Sequence, residues 1–268
     1  MKIGVCLPYM QRGIRRQDFK DWCRIIDQGP FHSLSCGERI TGHSYEMRNI
    51  LAFAAASTER VRIIPALYVL PMHSAVQAAK EIATLDILSE GRVTLTVGVG
   101  GREKDYEALG ASMANRFQRM DDQIATMKKI WRGELLESFE EIGPTPIQAG
   151  GPPILVGAMG PKSIQRVSKW ADGLYGFAMD GNADLINHFF TSADTAWANA
   201  EREQKPYRLG GFWYSLADGA HGNLGQYVFD YLKTLDEAEA RKVTKKNTIH
   251  DPICPVYNHQ AAAQTRAG

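Results

Sequence analysis

The sequence predicts an α/β protein of the TIM (β/α)8-barrel type, with an atypical or missing eighth βα unit at the C-terminus. Three observations predict it. Apolar, β-branched runs alternate with segments of helical hydrophobic spacing along most of the chain. The runs lack polar alternation, as do strands of a parallel sheet that is covered on both faces. Several of them end in glycine, at the strand carboxyl ends where parallel α/β proteins bind ligands. With 268 residues and 44% hydrophobic content, the chain has the size of one such domain.

The elements follow in order. Residues 3–7 form the first expected strand, and Phe19, Trp22, Cys23 and Ile26 make a helical stripe after it. A short second strand, 33–36, ends at Gly37-Glu38-Arg39, and a helix follows around 47–57. The clearest βαβ unit comes next: a strand over 61–70, a helix carrying Val76, Ala79 and Ala83, a left-handed cap at Gly91 in Leu88-Ser89-Glu90-Gly91-Arg92, and a strand over 93–99. That strand runs into Gly98-Val99-Gly100-Gly101. In the long helix beyond it, Met120, Ile124, Met127 and Trp131 fall on one face. Pro152-Pro153 closes a polar loop before a strand at 154–156, a helix over 161–170 and a strand over 174–177. A helix over 185–197, a seventh strand over 211–216 and an amphipathic helix carrying Leu224, Val228, Tyr231 and Leu235 complete the series. Serial β-then-α units with right-handed crossovers close most simply as a barrel. From Thr244 onward no apolar run is long enough for an inner strand. The expected division is therefore a barrel domain, 1–243, and an irregular tail, 244–268.

Composition narrows the function. Thirty-one basic against 30 acidic residues leave a net charge of +1, which disfavours nucleic acid and anionic membranes as partners. Cys6, Cys23, Cys36 and Cys254 show no CxxC pairing and read as reduced thiols, not disulfides or a zinc site. With no signal-peptide pattern and no apolar run of about 18 residues, a cytoplasmic protein is expected. HExxH, P-loop and GxSxG patterns are absent, so metalloprotease, nucleotide-hydrolase and α/β-hydrolase readings have no support. Asp18, Asp21 and Asp27 alternate with Arg16, Lys20 and Arg24 as a solvated helix face, not a metal site.

Several segments together resemble the bacterial-luciferase-like group of flavin- or deazaflavin-dependent oxidoreductases. They are Leu70-Pro71 with Ala79-Lys80-Glu81-Ile82-Ala83-Thr84-Leu85-Asp86, then Leu88-Ser89-Glu90-Gly91-Arg92, then Gly98-Val99-Gly100 with Glu107-Ala108-Leu109-Gly110. Gly151-Pro152-Pro153-Ile154-Leu155-Val156-Gly157, Gly160-Pro161 and Trp170-Ala171-Asp172-Gly173 complete the set. The resemblance implies a flavin or deazaflavin at the carboxyl ends of the strands and redox chemistry on an organic substrate. Two departures stand out. His73 replaces the family's His-Pro pair one position early, and the family's eighth strand and helix are missing from the tail.

The candidate site residues follow from both readings. Gly157, Ala158, Met159, Gly160, Pro161, Lys162 and Ser163 bring a strand end and a helix start together, which suits a phosphate, or alternatively a plain helix-initiating turn. Gly98, Gly100 and Gly101 would let a flat ring approach the main chain, with Arg102 near an anionic oxygen. Related proteins often hold a non-prolyl cis peptide beneath the flavin, which the resemblance places at Ala66, Leu67 and Tyr68. Glu38 is the acid/base candidate at the strand rim, its alternative being an ion pair with Arg39 or another rim residue. His73 is a second candidate for hydrogen bonding the cofactor or moving a proton. Tyr9, Arg39 and Phe177 are substrate-pocket candidates.

The expected cofactor is FMN or coenzyme F-420 (8-hydroxy-5-deazaflavin). The chemistry is either monooxygenation by reduced FMN and oxygen or hydride transfer by the deazaflavin. The expected partners are a small-molecule substrate, a flavin reductase and a second copy in a homodimer, with neither nucleic acid nor membrane. The competing reading is a non-catalytic or degenerate flavin-binding barrel that acts through a partner subunit.

Overall fold

The computed structural model describes residues 1–134, 140–215, 220–233 and 237–246. The chain divides into two compact units, Lys2–Gly157 and Ala158–Gly268, the latter with Met1.

In the first unit five strands stand in chain order, each parallel to the next: β1 Gly4–Cys6, β2 Ser33–Cys36, β3 Arg62–Tyr68, β4 Leu95–Val97 and β5 Ile154–Gly157. Helices fill the crossovers, namely α1 Arg16–Gln28, α2 Met47–Ala56, α3 Ala75–Leu88, α4 Glu103–Ala108 and α5 Arg116–Trp131. Their buried faces match the sequence stripes: Phe19, Cys23 and Ile26 on α1, and Met120, Ile124, Met127 and Trp131 on α5. Trp22 departs from its stripe and is exposed. The Trp131 indole donates to the Ala79 carbonyl at 3.0 Å and ties α5 to α3. Helix α3 starts at Ser74, whose hydroxyl accepts from the Gln77 N–H, and the chain leaves it through Glu90 and Gly91 at positive φ.

Two details differ from expectation. The strand expected over 61–70 ends at Tyr68, because a 3-10 turn at Leu70–Met72, with Pro71 inside it, takes over. Helix α4 was not foreseen, since six residues that bury only Asp105 and Tyr106 carry no periodic stripe.

In the second unit β6 Gly173–Phe177 pairs in parallel with β7 Tyr207–Gly211. Helices α6 Pro161–Val167, α7 Ala183–Asn199, α8 Ala220–Leu232 and α9 Glu237–Lys246 accompany them. Pro161 opens α6 and the Asn182 side chain caps α7 by accepting from the Leu185 N–H at 3.1 Å. The seventh strand lies earlier than the expected 211–216. Its register with β6 runs from Gly173 opposite Tyr207 to Phe177 opposite Gly211. The aromatic residues that suggested a strand instead pack ring against ring, Trp213 meeting Phe177 and Tyr231 edge-on at 5.1 and 5.2 Å. Helix α9 was also unforeseen; Ala240 on it is buried with Leu224, Val228 and Leu232 of α8. It extends past the expected start of the tail. Residues 247–268, which hold Cys254 and the rest of that tail, lie outside the described residues, as does Leu235. Among the described residues there is no eighth strand, and no helix is long and apolar enough to cross a membrane.

Candidate active site

The carboxyl end of β2 delivers Glu38 into the first unit's interior. Its side chain is only 2% exposed, so each oxygen needs a donor. Oε2 accepts from the Val69 backbone N–H at 2.7 Å, and Oε1 lies 2.8 Å from Nε2 of His73. Both sequence-derived acid/base candidates are thus in direct contact, although 35 residues separate them. Val69 N–H and the Arg48 guanidinium, 3.6 Å away, both present donors to this carboxylate. Glu38 Oε1 and His73 Nε2 thus share one proton across their contact. Of the two ion-pair alternatives, Arg39 or another residue, it is another, Arg48, that faces Glu38, whereas the Arg39 guanidinium donates to the Thr41 carbonyl at 2.7 Å.

Arg48, on the first turn of α2, was not singled out by sequence. Its guanidinium lies 2.5 Å from Glu46, 3.6 Å from Glu38 and 3.7 Å from Glu81, and Nη1 is 3.4 Å from His73 Nδ1. Burial by itself would lower the Arg48 pKa; the Tyr68 hydroxyl, Glu46 and Glu38 outweigh it and the net shift is upward. Tyr68 is 1% exposed and donates to Glu81 at 2.6 Å. Burial first, then the Glu81 charge and hydrogen bond, raise its pKa against the opposing pull of Arg48. Its ring, edge-on to His73 at 5.1 Å, belongs to this buried network. An arginine whose carboxylate partners Glu38 and Glu81 lie far from it in sequence offers no linear motif, which is why Arg48 and Glu81 do not stand out as site residues in the sequence.

Beside the network lies a platform. The Ala66–Leu67 peptide is cis, at the point where the β3–β4 register shifts. The Leu67 side chain then fills the space that a Cβ would need at two strand ends: such an atom would sit 2.8 Å from Leu67 at Gly98 and 2.8 Å at Gly157. Gly100, at φ +61, likewise leaves room for Val69, whose Cγ1 would be 2.6 Å from a Cβ there. Two of the glycines read from sequence as ligand approaches are therefore needed by their own neighbours. At Gly101 nothing lies within 4 Å of a Cβ position, so the space there is open. Ala66 and Leu67 are both partly exposed. Ala66 and Leu67 thus leave apolar side chains partly open to solvent at the strand ends.

The remaining candidates fall around these parts. Tyr9 follows β1 with its hydroxyl over Gly37, 2.5 Å from where a Cβ would stand. Arg102 is the residue before α4. Within the second unit, Ala158 is buried, Met159 is exposed, and Gly160, Pro161, Lys162 and Ser163 form the start of α6. Phe177 ends β6 and packs on Trp213 and, at 6.2 Å, Tyr175.

The luciferase-like monooxygenase profile matches residues 1–219. Among curated relatives, the chain is 30% identical over 154 residues to the oxygenase component of flavin-dependent trigonelline monooxygenase from Acinetobacter baylyi, covering 53% of this chain and 42% of that one. It is 32% identical over 128 residues to an F420-dependent hydroxymycolic acid dehydrogenase from Mycobacterium tuberculosis, covering 44% and 35%. Each of these matches thus spans less than half of the relative's length. Among solved structures, the oxygenating constituent of 3,6-diketocamphane monooxygenase from Pseudomonas putida, in complex with FMN, superposes with a TM-score of 0.70 at 17% identity. It covers 95% of this chain and 80% of that one, a likeness that shows the fold. The fold class is that of the luciferase-like TIM barrels, with five parallel strands described in the first unit and two in the second.

Proposed function

Because the chain belongs to the luciferase-like monooxygenase family, we propose that it is an oxidoreductase using FMN or coenzyme F-420 on a small organic substrate. The observation that carries this reading is the Leu67 platform between Gly98 and Gly157, backed by the buried Glu38–His73 pair. The activities of the two relatives, one flavin-dependent and one F420-dependent, support both cofactors. The non-catalytic alternative rests on the irregular tail, which from residue 247 lies outside the described residues, and the family match favours an enzyme.

When bound, the ring would supply the electron chemistry, either reduced FMN with oxygen or hydride transfer by the deazaflavin. The protein's share is positioning. Ala66 and Leu67 would support the ring and exclude water from one side of it, with Gly101 and Arg102 at its edge. Glu38 holds the Val69 N–H and the His73 imidazole, and His73, 11% exposed, would be the group that exchanges a proton where the chemistry needs one. Gly157 to Ser163 is a candidate by itself for an anionic group, on the family resemblance and the helix-start chemistry. A flavin reductase for the FMN case, a homodimer and a cytoplasmic location belong to the same proposal.

The test is titration of the purified protein with FMN and, separately, with coenzyme F-420, followed by cofactor absorbance and tryptophan fluorescence. Saturable binding of one, weakened by replacing Leu67 with Glu in a protein that still melts cooperatively, is expected. Binding of neither by the folded wild type would refute the proposal.

A further inference from the structure

The strand-to-helix turn after β3 is gripped from two sides, and the second grip comes from α5. The turn, Leu70–Met72, closes on itself through Met72 N–H to the Val69 carbonyl at 3.1 Å and His73 N–H to the Leu70 carbonyl at 3.0 Å. Glu38 holds its inner edge at Val69 N–H and His73 Nε2. From outside, the Gln123 amide on α5 donates to the His73 carbonyl at 2.7 Å and to the Leu70 carbonyl at 3.3 Å. One turn earlier on the same helix, Arg119 donates to the Pro71 carbonyl at 3.2 Å and to the Ser112 carbonyl at 2.6 Å.

Gln123 is anomalous where it stands. It is 7% exposed, among the buried apolar residues Met120, Ile124 and Met127 of α5, and its Oε1 is buried without a hydrogen-bond partner. An apolar residue would pack there without orphaning an acceptor. What an apolar residue lacks is the pair of donors that reach the two carbonyls. The turn held this way directly follows the residues that shape the platform: Val69 fills the space over Gly100, and Leu67, two residues before it, fills the space at Gly98 and Gly157.

We propose that Gln123 is a positioning residue of the active site, holding the Leu70–His73 turn so that His73 stays on Glu38 and the Leu67–Val69 segment keeps its place. The inference rests on the reading of that platform as the cofactor surface. Gln123→Glu is nearly isosteric but turns acceptors toward two carbonyls. Gln123→Met keeps the volume and supplies no donor. In both, the turn loses its outer anchor and His73 shifts against Glu38.

The primary readout is the nitrogen-15 signals of the His73 imidazole in cofactor-free protein, assigned by their loss in His73→Gln. Both Gln123 variants are expected to change these signals, Gln123→Glu more than Gln123→Met, and to weaken cofactor binding about tenfold, the equivalent of about 1.4 kcal/mol. Gln123→Asn, whose shorter amide keeps the donor chemistry, should restore part of the wild-type signal. If either Gln123 variant fails to fold, Arg119→Met removes the neighbouring grip at Pro71 and carries the same expectation for His73. Unchanged His73 signals in the folded variants would overturn the proposal. A wild type that binds neither cofactor overturns the functional reading instead, and the grip on the turn is then judged by the His73 signals alone.

Discussion

Arg92, in the turn between α3 and β4, offers a measurable test of how one side chain closes a structural joint. Its five N–H donors meet five acceptors: Nε the Ser89 carbonyl at 2.7 Å, Nη1 the Thr58 hydroxyl at 2.9 Å and the Val61 carbonyl at 2.8 Å, and Nη2 the carbonyls of Ala55 at 3.0 Å and Thr58 at 2.7 Å. Ala55 lies in the last turn of α2, so a single guanidinium closes that helix end, the loop into β3 and the turn into β4. Burial lowers its pKa, opposed by Asp27, Glu59 and Glu90, yet an arginine stays charged throughout the accessible range. Arg92→Lys keeps the charge but has at most three donors on one nitrogen and cannot span the fork. Arg92→Ala leaves every carbonyl to water. A hydrogen bond to a charged group is worth roughly 1.5–3 kcal/mol, but Arg92 is half-buried and water can reach part of the site. We therefore expect losses of about 2 kcal/mol for Lys and about 4 kcal/mol for Ala, well below the sum of five bonds. Urea unfolding followed by circular dichroism should show the midpoint falling in that order at unchanged slope. An Arg92→Ala midpoint within about 0.5 kcal/mol of wild type would refute the reasoning, since it would mean the five acceptors are equally well served by solvent.

Three further predictions follow from other parts of the structure. Gly98→Ala should destabilise the protein by about 1–3 kcal/mol, because its Cβ would lie 2.8 Å from Leu67, and Leu67→Ala in the same chain should recover part of that loss; additive losses in a double-mutant cycle would count against the contact. The Cys23 thiol is pushed up to about 11 by burial and the Asp27 charge, and burial with Cys6 and nearby carboxylates pushes Cys36 up as well, so neither should react with a disulfide reagent at neutral pH until the protein unfolds. For Asp27, burial pushes the carboxyl up, but the N–H groups of Glu59, Arg60 and Val61 at 2.9–3.0 Å outweigh it and hold the folded pKa below the usual range. Its contribution to stability is thus complete above the unfolded value of about 3.9 and is lost as pH falls through the lower folded value; stability of Asp27→Asn should fall less steeply in that acid range, and parallel curves would contradict the assignment.

The sequence carried the serial strand and helix order because periodicity is local. Phe19, Cys23 and Ile26, or Met120, Ile124 and Met127, bury one helix face wherever the helix is placed. The motif Leu88 to Arg92 also announced its turn, through a glycine that sits at φ +77. Where the reading slipped, two local signals competed. Phe212, Trp213 and Tyr214 have strand propensity, yet the register with β6 and the ring contacts of Trp213 placed the strand earlier. The candidate site was legible in parts: Glu38, His73 and the glycines were each visible, but not their joining.

The sequence by itself determined the fold class, the parallel α/β order and the family resemblance, since hydrophobic period, turn chemistry and short motifs act over a few residues at a time. Only tertiary structure decided that Glu38 meets His73 and Arg48, that Leu67 claims the room at Gly98 and Gly157, and that Gln123 reaches the His73 carbonyl. These partners are brought together from separate strands and helices by core packing, and a buried polar group takes whichever donor or acceptor the packed backbone puts within hydrogen-bond reach.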